Sequence, residues 1–205
     1  MGSSRPNNYA VMEENARLLF LTYPHEKIAS NPAVKFEEGY YQFQVLDLPC
    51  RVSRETGRVF WYKEGIWTPC TRPHDTLTVY DYLCDAAPDR ILSGKQVTTA
   101  GLGSMVHQDL TESASPLELK IDRNPQNFAQ ACQTMGGIPF PSCDIGFTFR
   151  LFPDLPLTVQ FWHSDEDFPP RLRYLWDTNT TRYIRYETTY YAIGLFQARL
   201  QEVMT

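Results

Sequence analysis

From Tyr40 to Trp67 the apolar residues stop recurring every three or four positions and begin to alternate with polar ones. Tyr40-Tyr41-Gln42-Phe43-Gln44-Val45-Leu46 mixes aromatic and β-branched residues with glutamines, the composition of a pleated strand. Arg54-Glu55-Thr56-Gly57 separates Cys50–Ser53 from Arg58–Tyr62, and Gly57 can take the positive φ that a tight hairpin requires. Glu64-Gly65 offers a second turn before Trp67. A chain with this pattern builds an antiparallel meander, here over residues 40–68, and helices must find a place against it.

Helical spacing holds on either side. Residues 7–23 interleave Val11, Ala16, Leu18, Leu19 and Phe20 with charged positions, and Pro24 stops the helix. Leu77, Tyr80, Leu83 and Cys84 share one face of a helix over 74–87, with Asp75 as the expected cap. Asn124-Pro125 opens a third helix, which Gly136-Gly137 closes. A second meander follows, with strands at 145–151, 157–162 and 171–177, and a long helix from about Thr180 to Met204 ends the chain. The C-terminal meander and helix together cover 145–204. Strands and helices come in runs rather than in strict β-α-β alternation. That predicts an α+β fold with largely antiparallel sheets and packed helices. The 205 residues suit one domain, which buries about 70% of its unfolded surface.

Charge and cysteine usage narrow the function. A net charge of -5 disfavours nucleic-acid partners, and no apolar run reaches a membrane span. The five cysteines, Cys50, Cys70, Cys84, Cys132 and Cys143, contain no Cys-x-x-Cys pair. The N-terminus shows no secretory h-region, so reduced thiols in the cytoplasm are expected, with Cys143 the most exposed. His25 and His74, each beside a proline at a helix boundary, read as caps or surface residues.

The densest polar cluster is His163-Ser164-Asp165-Glu166-Asp167, ahead of Phe168-Pro169-Pro170. Its imidazole and carboxylates make His163, Asp165 and Glu166 or Asp167 the candidate ligands of a divalent metal, with Glu187 or Asp177 as a base, the set of a metal-dependent hydrolase or lyase. The alternative is a solvated acidic turn. Gly94-Lys95 and Gly101-Leu102-Gly103 lack phosphate-loop spacing. Met105 and His107 have the side chains of haem or corrinoid ligands. The 12 Tyr, 12 Phe and 4 Trp include Tyr40-Tyr41, Phe60-Trp61-Tyr62, Phe161-Trp162 and the tyrosines at 183, 186, 190 and 191, which can line a pocket or fill a core. Arg182 and Arg185 can present cation–π or anion-binding faces there. No Gly-x-Ser-x-Gly, His-Glu-x-x-His or dinucleotide fingerprint occurs.

Phe152-Pro153-Asp154-Leu155-Pro156-Leu157, Trp162 with Asp165-Glu166 and Phe168-Pro169, Leu175-Trp176-Asp177, and Glu187 carry a resemblance. So do Ile91-Leu92-Ser93-Gly94-Lys95 and Met135-Gly136-Gly137 ahead of Asp144. From about Tyr40 to Leu200 the chain resembles a family of domains of unknown function found mainly in anaerobic bacteria and archaea. Some relatives are fused to cysteine-rich iron–sulfur-binding regions, which implies redox or corrinoid-linked metabolism. The expected role is an accessory protein that binds a small molecule or cofactor. His107, Asp165, Glu166, Phe168, Arg185 and Glu187 are the candidate ligand-binding residues, and the residues name no particular cofactor. A third reading is an interaction partner of a redox or methyl-transfer complex.

Overall fold

A computed structural model describes residues 8–103 and 113–204. The chain opens with helix α1, Asn8–Thr22, and a short helix α2, His25–Ala29. Five consecutive strands follow: β1 Lys35–Glu37, β2 Tyr40–Val45, β3 Leu48–Ser53, β4 Val59–Lys63 and β5 Ile66–Pro69. They pair antiparallel in chain order, so the expected meander exists and gains a strand at its start. Alternation sets its two faces. Tyr41, Phe43, Val45, Cys50, Val52, Val59 and Trp61 are buried, whereas Tyr40, Gln42, Arg51, Phe60 and Tyr62 point the other way.

Helix α3, Pro73–Asp85, meets the buried face where Tyr82 packs against Phe43. Tyr80 donates its hydroxyl to the Gly57 carbonyl at 2.6 Å. Gly57 adopts φ +72°, and a Cβ there would sit 2.8 Å from Cγ of Arg17, so the turn needs glycine twice over. The predicted cap of α3 does not form. Asp75 is buried and takes the Arg72 guanidinium at 2.9 Å instead of a backbone N–H. His25 is tied at 2.8 Å to the Tyr41 hydroxyl, and His74 lies between the rings of Tyr9 and Tyr191.

The second sheet has the order β6-β10-β9-β8-β7: Gln96–Thr98, Arg171–Asp177, Leu155–Trp162, Ile145–Phe152 and Ile138–Pro139. Two of these strands escaped the sequence pattern, since three residues in β6 and two in β7 carry no period. Helices α4, Thr99–Leu102, α5, Pro116–Arg123, and α6, Pro125–Thr134, lie between β6 and β7 in sequence. Helix α5 was also missed. Ser115 caps it in a capping box with Glu118. Glu118 does more: one oxygen takes the Ser115 N–H and the other the Leu172 N–H of β10, both at 2.7 Å, where β6 no longer pairs. Substituting Glu118→Ala removes two charge-assisted hydrogen bonds and is expected to cost about 2–3 kcal/mol in urea unfolding, with Glu118→Gln milder.

The final helix is shorter than the sequence implied. A 3₁₀ turn, Thr180–Arg182, precedes α7, Tyr186–Val203, and Arg185 between them is extended at φ -64°, ψ 156°. Its N–H bonds a carboxylate of α3, described below, rather than a helical carbonyl. Helix α7 packs on α3 and, through Phe196 against Phe149 and Tyr174, on the second sheet. The result is a mixed α+β domain.

The sheets also meet directly. Leu46 and Asp47, the tip of the β2–β3 hairpin, both take positive φ, 50° and 57°. Leu46 is buried, and its N–H is shared by the carbonyls of Arg150 and Leu151 at 3.1 Å each, where β8 shifts register against β9. The Arg150 guanidinium reaches Asp47 at 3.0 Å.

Candidate functional site

The residues singled out in the sequence fall in separate places. His107 lies outside the described residues. The acidic loop after β9 is an exposed turn that largely satisfies itself. One Asp165 oxygen accepts the N–H groups of Asp167 and Phe168 at 2.9 and 2.7 Å, and the Asp165 N–H returns to the Phe168 carbonyl. Glu166 is exposed, and Phe168 is 70% exposed. His163 turns to α5, with Nδ1 2.9 Å from Asp122, whose other oxygen accepts the Ser164 hydroxyl at 2.7 Å. Those bonds hold the Asp122 carboxyl below its ordinary range. Among the described residues no group of three His, Cys, Asp or Glu side chains is placed to hold a metal ion. Asp177, considered as a base, is buried and accepts the N–H groups of Ser93, Gly94 and Asn179.

Arg185 and Glu187 do come together, at the start of α7, and they meet two residues that sequence reasoning passed over. Asp81 and Asp85 stand one turn apart on α3, on the face that also carries Leu77, Tyr80 and Cys84. Asp81 is wholly buried and grips Arg185 twice: Oδ2 takes its backbone N–H at 2.7 Å and Oδ1 its Nε at 2.5 Å. Asp85 Oδ2 lies 3.4 Å from the same Nε. The extended backbone at Arg185 is what permits this double grip.

Two carboxylates cannot both ionise freely beside one cation. Burial pushes the Asp85 carboxyl up to about 6, and its hydrogen bond to Asp81 and the charge of Asp81 push the same way against Arg185. Arg185 loses to burial but gains more from Asp81, Asp85 and Glu187, and is held more firmly protonated. Burial, then Asp85 and Asp81, drive the Cys84 thiol up to about 12, which excludes a thiolate nucleophile at neutral pH. The five cysteines are free, and burial raises each of them. Cys143, expected to be exposed, is half-buried.

This charged cluster lines part of a cavity of about 280 Å³ between α1, α3 and α7. Met12, Ala16, Leu19 and Phe20 of α1 close one side, and Leu77, Tyr80 and Tyr191 line the other. A second hollow of about 320 Å³ shares Cys84 and Asp85 and reaches Tyr23, Lys27, Asn31 and Arg90. Half of the other aromatic residues are buried in the core. Tyr183 is buried under the Arg90 guanidinium, 5.3 Å from its ring, while Arg182 pairs with Asp89. The signal for the site was present as two aspartates at i, i+4 on an otherwise apolar helix face.

No described helix is long and apolar enough to cross a membrane. Comparison with curated proteins and with solved structures gives no match. A family model does match, over residues 24–198, most of the chain, including α3 and the start of α7 but not α1. The chain therefore belongs to a family described as domain of unknown function (DUF3786).

Proposed function

We propose that this protein binds a small molecule with an apolar body and a cationic head in the cavity between α1, α3 and α7. The observation that carries the reading is the pairing of Asp81 and Asp85 in the lining of a largely apolar cavity, with Glu187 in the same lining and Arg185 as its one cation among the described residues. A protonated amine supplies the positive charge that the cluster lacks, and the α1 side chains cover its hydrocarbon. The wider setting we infer is an accessory role in the anaerobic metabolism of the cytoplasm. The resemblance read from the sequence and the five free thiols support it.

Octylamine and phenethylamine are suitable probes, with octanoate and octanol as controls, in calorimetric titrations. The amines should bind and the octanoate should not. Affinity should rise with pH through about 6, because below that value the amine must displace the Asp85 proton. Asp85→Asn should abolish that pH dependence and weaken amine binding. In the free protein the sign is opposite. A carboxyl whose folded-state pKa exceeds its unfolded one gives up stability as pH rises through about 6, so Asp85→Asn should raise Tm at pH 8 and gain nothing near pH 4. Equal binding of amine and octanol, or none of either, overturns the proposal.

A further inference from the structure

Arg51 is the centre residue of the face of the first sheet that α3 leaves uncovered. Strand order places Tyr40 of β2 on one side of it and Phe60 of β4 and Trp67 of β5 on the other. Its Cζ lies 4.2 Å from the Tyr40 ring centre, 4.3 Å from that of Trp67 and 5.3 Å from that of Phe60. Rings on both sides stabilise the charge through their π faces but accept no N–H bond in the guanidinium plane. Arg51 Nε is buried and has no hydrogen-bond partner among the described residues. Among the described residues no carboxylate pairs with Arg51. By contrast, Arg17, Arg72, Arg90, Arg150, Arg182, Arg185 and Arg199 each reach one.

A buried donor without an acceptor is costly, and such a group calls for an explanation. Here the stem and faces of the guanidinium are fixed by packing, so its fork is pre-organised. A fork held in this way matches the two oxygens of a carboxylate or phosphate. Gln42, directly opposite Arg51 on β2, adds a neutral amide. The aromatic surface continues past Trp67 to Tyr62, whose ring is 5.1 Å away and which is 39% exposed.

We propose that Arg51, walled by Tyr40, Phe60 and Trp67, is the anion-binding centre of a second ligand site, and that it takes a carboxylate or phosphate carried on an aromatic group that packs against Tyr62. The site lies on the face of the sheet opposite α3 and does not depend on the cavity proposal.

The test is nitrogen-15 NMR of the arginine Nε–H groups of the whole chain, titrated with inorganic phosphate, phenyl phosphate and benzoate against chloride at matched ionic strength. The Arg51 resonance should shift saturably with the oxyanions and not with chloride. Phenyl phosphate should bind more tightly than inorganic phosphate, and Tyr62→Ala should erase that preference. Arg51→Lys keeps the charge but loses the fork, and should weaken binding by about tenfold. Benzoate binding more tightly than phenyl phosphate would make the natural anion a carboxylate, and the reverse a phosphate. A resonance that does not saturate, or that follows chloride equally, overturns the proposal. So does an Arg51→Lys variant that binds as well as the parent. Should Arg51→Lys fail to fold, the parent titration and Tyr62→Ala decide.

Discussion

Asp154→Ala should destabilise the protein by about 3–5 kcal/mol, lowering Tm by roughly 10 °C. Asp154 sits in the β8–β9 turn and is the counterion of Arg90, whose side chain is only 6% exposed. Its two oxygens take Arg90 Nε at 2.8 Å and the Tyr82 hydroxyl at 2.6 Å. Arg90 in turn donates to Asn31 and to the Ala87 carbonyl, and lies over the rings of Tyr82 and Tyr183. Removing the aspartate leaves a guanidinium packed in place with its charge uncompensated, which is costlier than losing the pair as a whole. Tyr82→Phe is the control. It deletes one hydrogen bond and should cost about 1 kcal/mol, since the stacked contact of Tyr82 on Phe152, 3.8 Å between ring centres, survives. Urea unfolding of both variants separates the effects, and equal losses would show that Arg90 finds another partner.

Asp177→Ala should cost about 3 kcal/mol at pH 7, because backbone N–H groups at Ser93, Gly94 and Asn179 lose their acceptor together. The pH dependence identifies the cause. Burial disfavours the Asp177 charge, but the bonds from Ser93, Asn179 and Gly94 outweigh it and hold the carboxyl below its ordinary value of 3.8. A depressed carboxyl contributes stability that is present above the unfolded value and lost as pH falls through the folded one. The gap between parent and variant should therefore be full at neutral pH and close in acid. Amides of Gln96–Thr98 should exchange faster in the variant, since the Ser93–Lys95 loop leads into β6. A gap that persists unchanged in acid would point to packing instead.

These two aspartates show how far the sequence could be read. Both lie in stretches that stood out as motifs, Phe152–Leu157 and Leu175–Asp177, yet each serves the fold by satisfying donors brought from distant parts of the chain. Local pattern reports hydrophobic period, so α1, α3, α6, the first meander and the three long strands of the second sheet were legible. It does not report which backbone groups a carboxylate will meet. The same blindness explains the candidate site. Arg185 and Glu187 were recognisable as polar residues among tyrosines, but Asp81 becomes their partner only when α3 packs on α7. The break before α7 was hidden for that reason: its cause is a carboxylate a hundred residues earlier. The acidic loop is dense in sequence, yet among the described residues its side chains do not gather as a metal-holding group, because neighbours in sequence need not converge in space.

The tip of the β2–β3 hairpin has a consequence for how the chain comes together. The first sheet is built from neighbouring hairpins and is complete by residue 69, long before β8 has been synthesised. Contacts so close in sequence form early, whereas the carbonyls of Arg150 and Leu151 that receive Leu46 arrive late. Until they do, a leucine held in a left-handed turn stands in water at the end of an otherwise finished hairpin. Its docking, with the contacts of Phe43 and Tyr82 on Phe152, should then tie the unfolding of the first sheet to that of the second. The Leu46 amide should be protected to the depth of β8 rather than to that of its own hairpin.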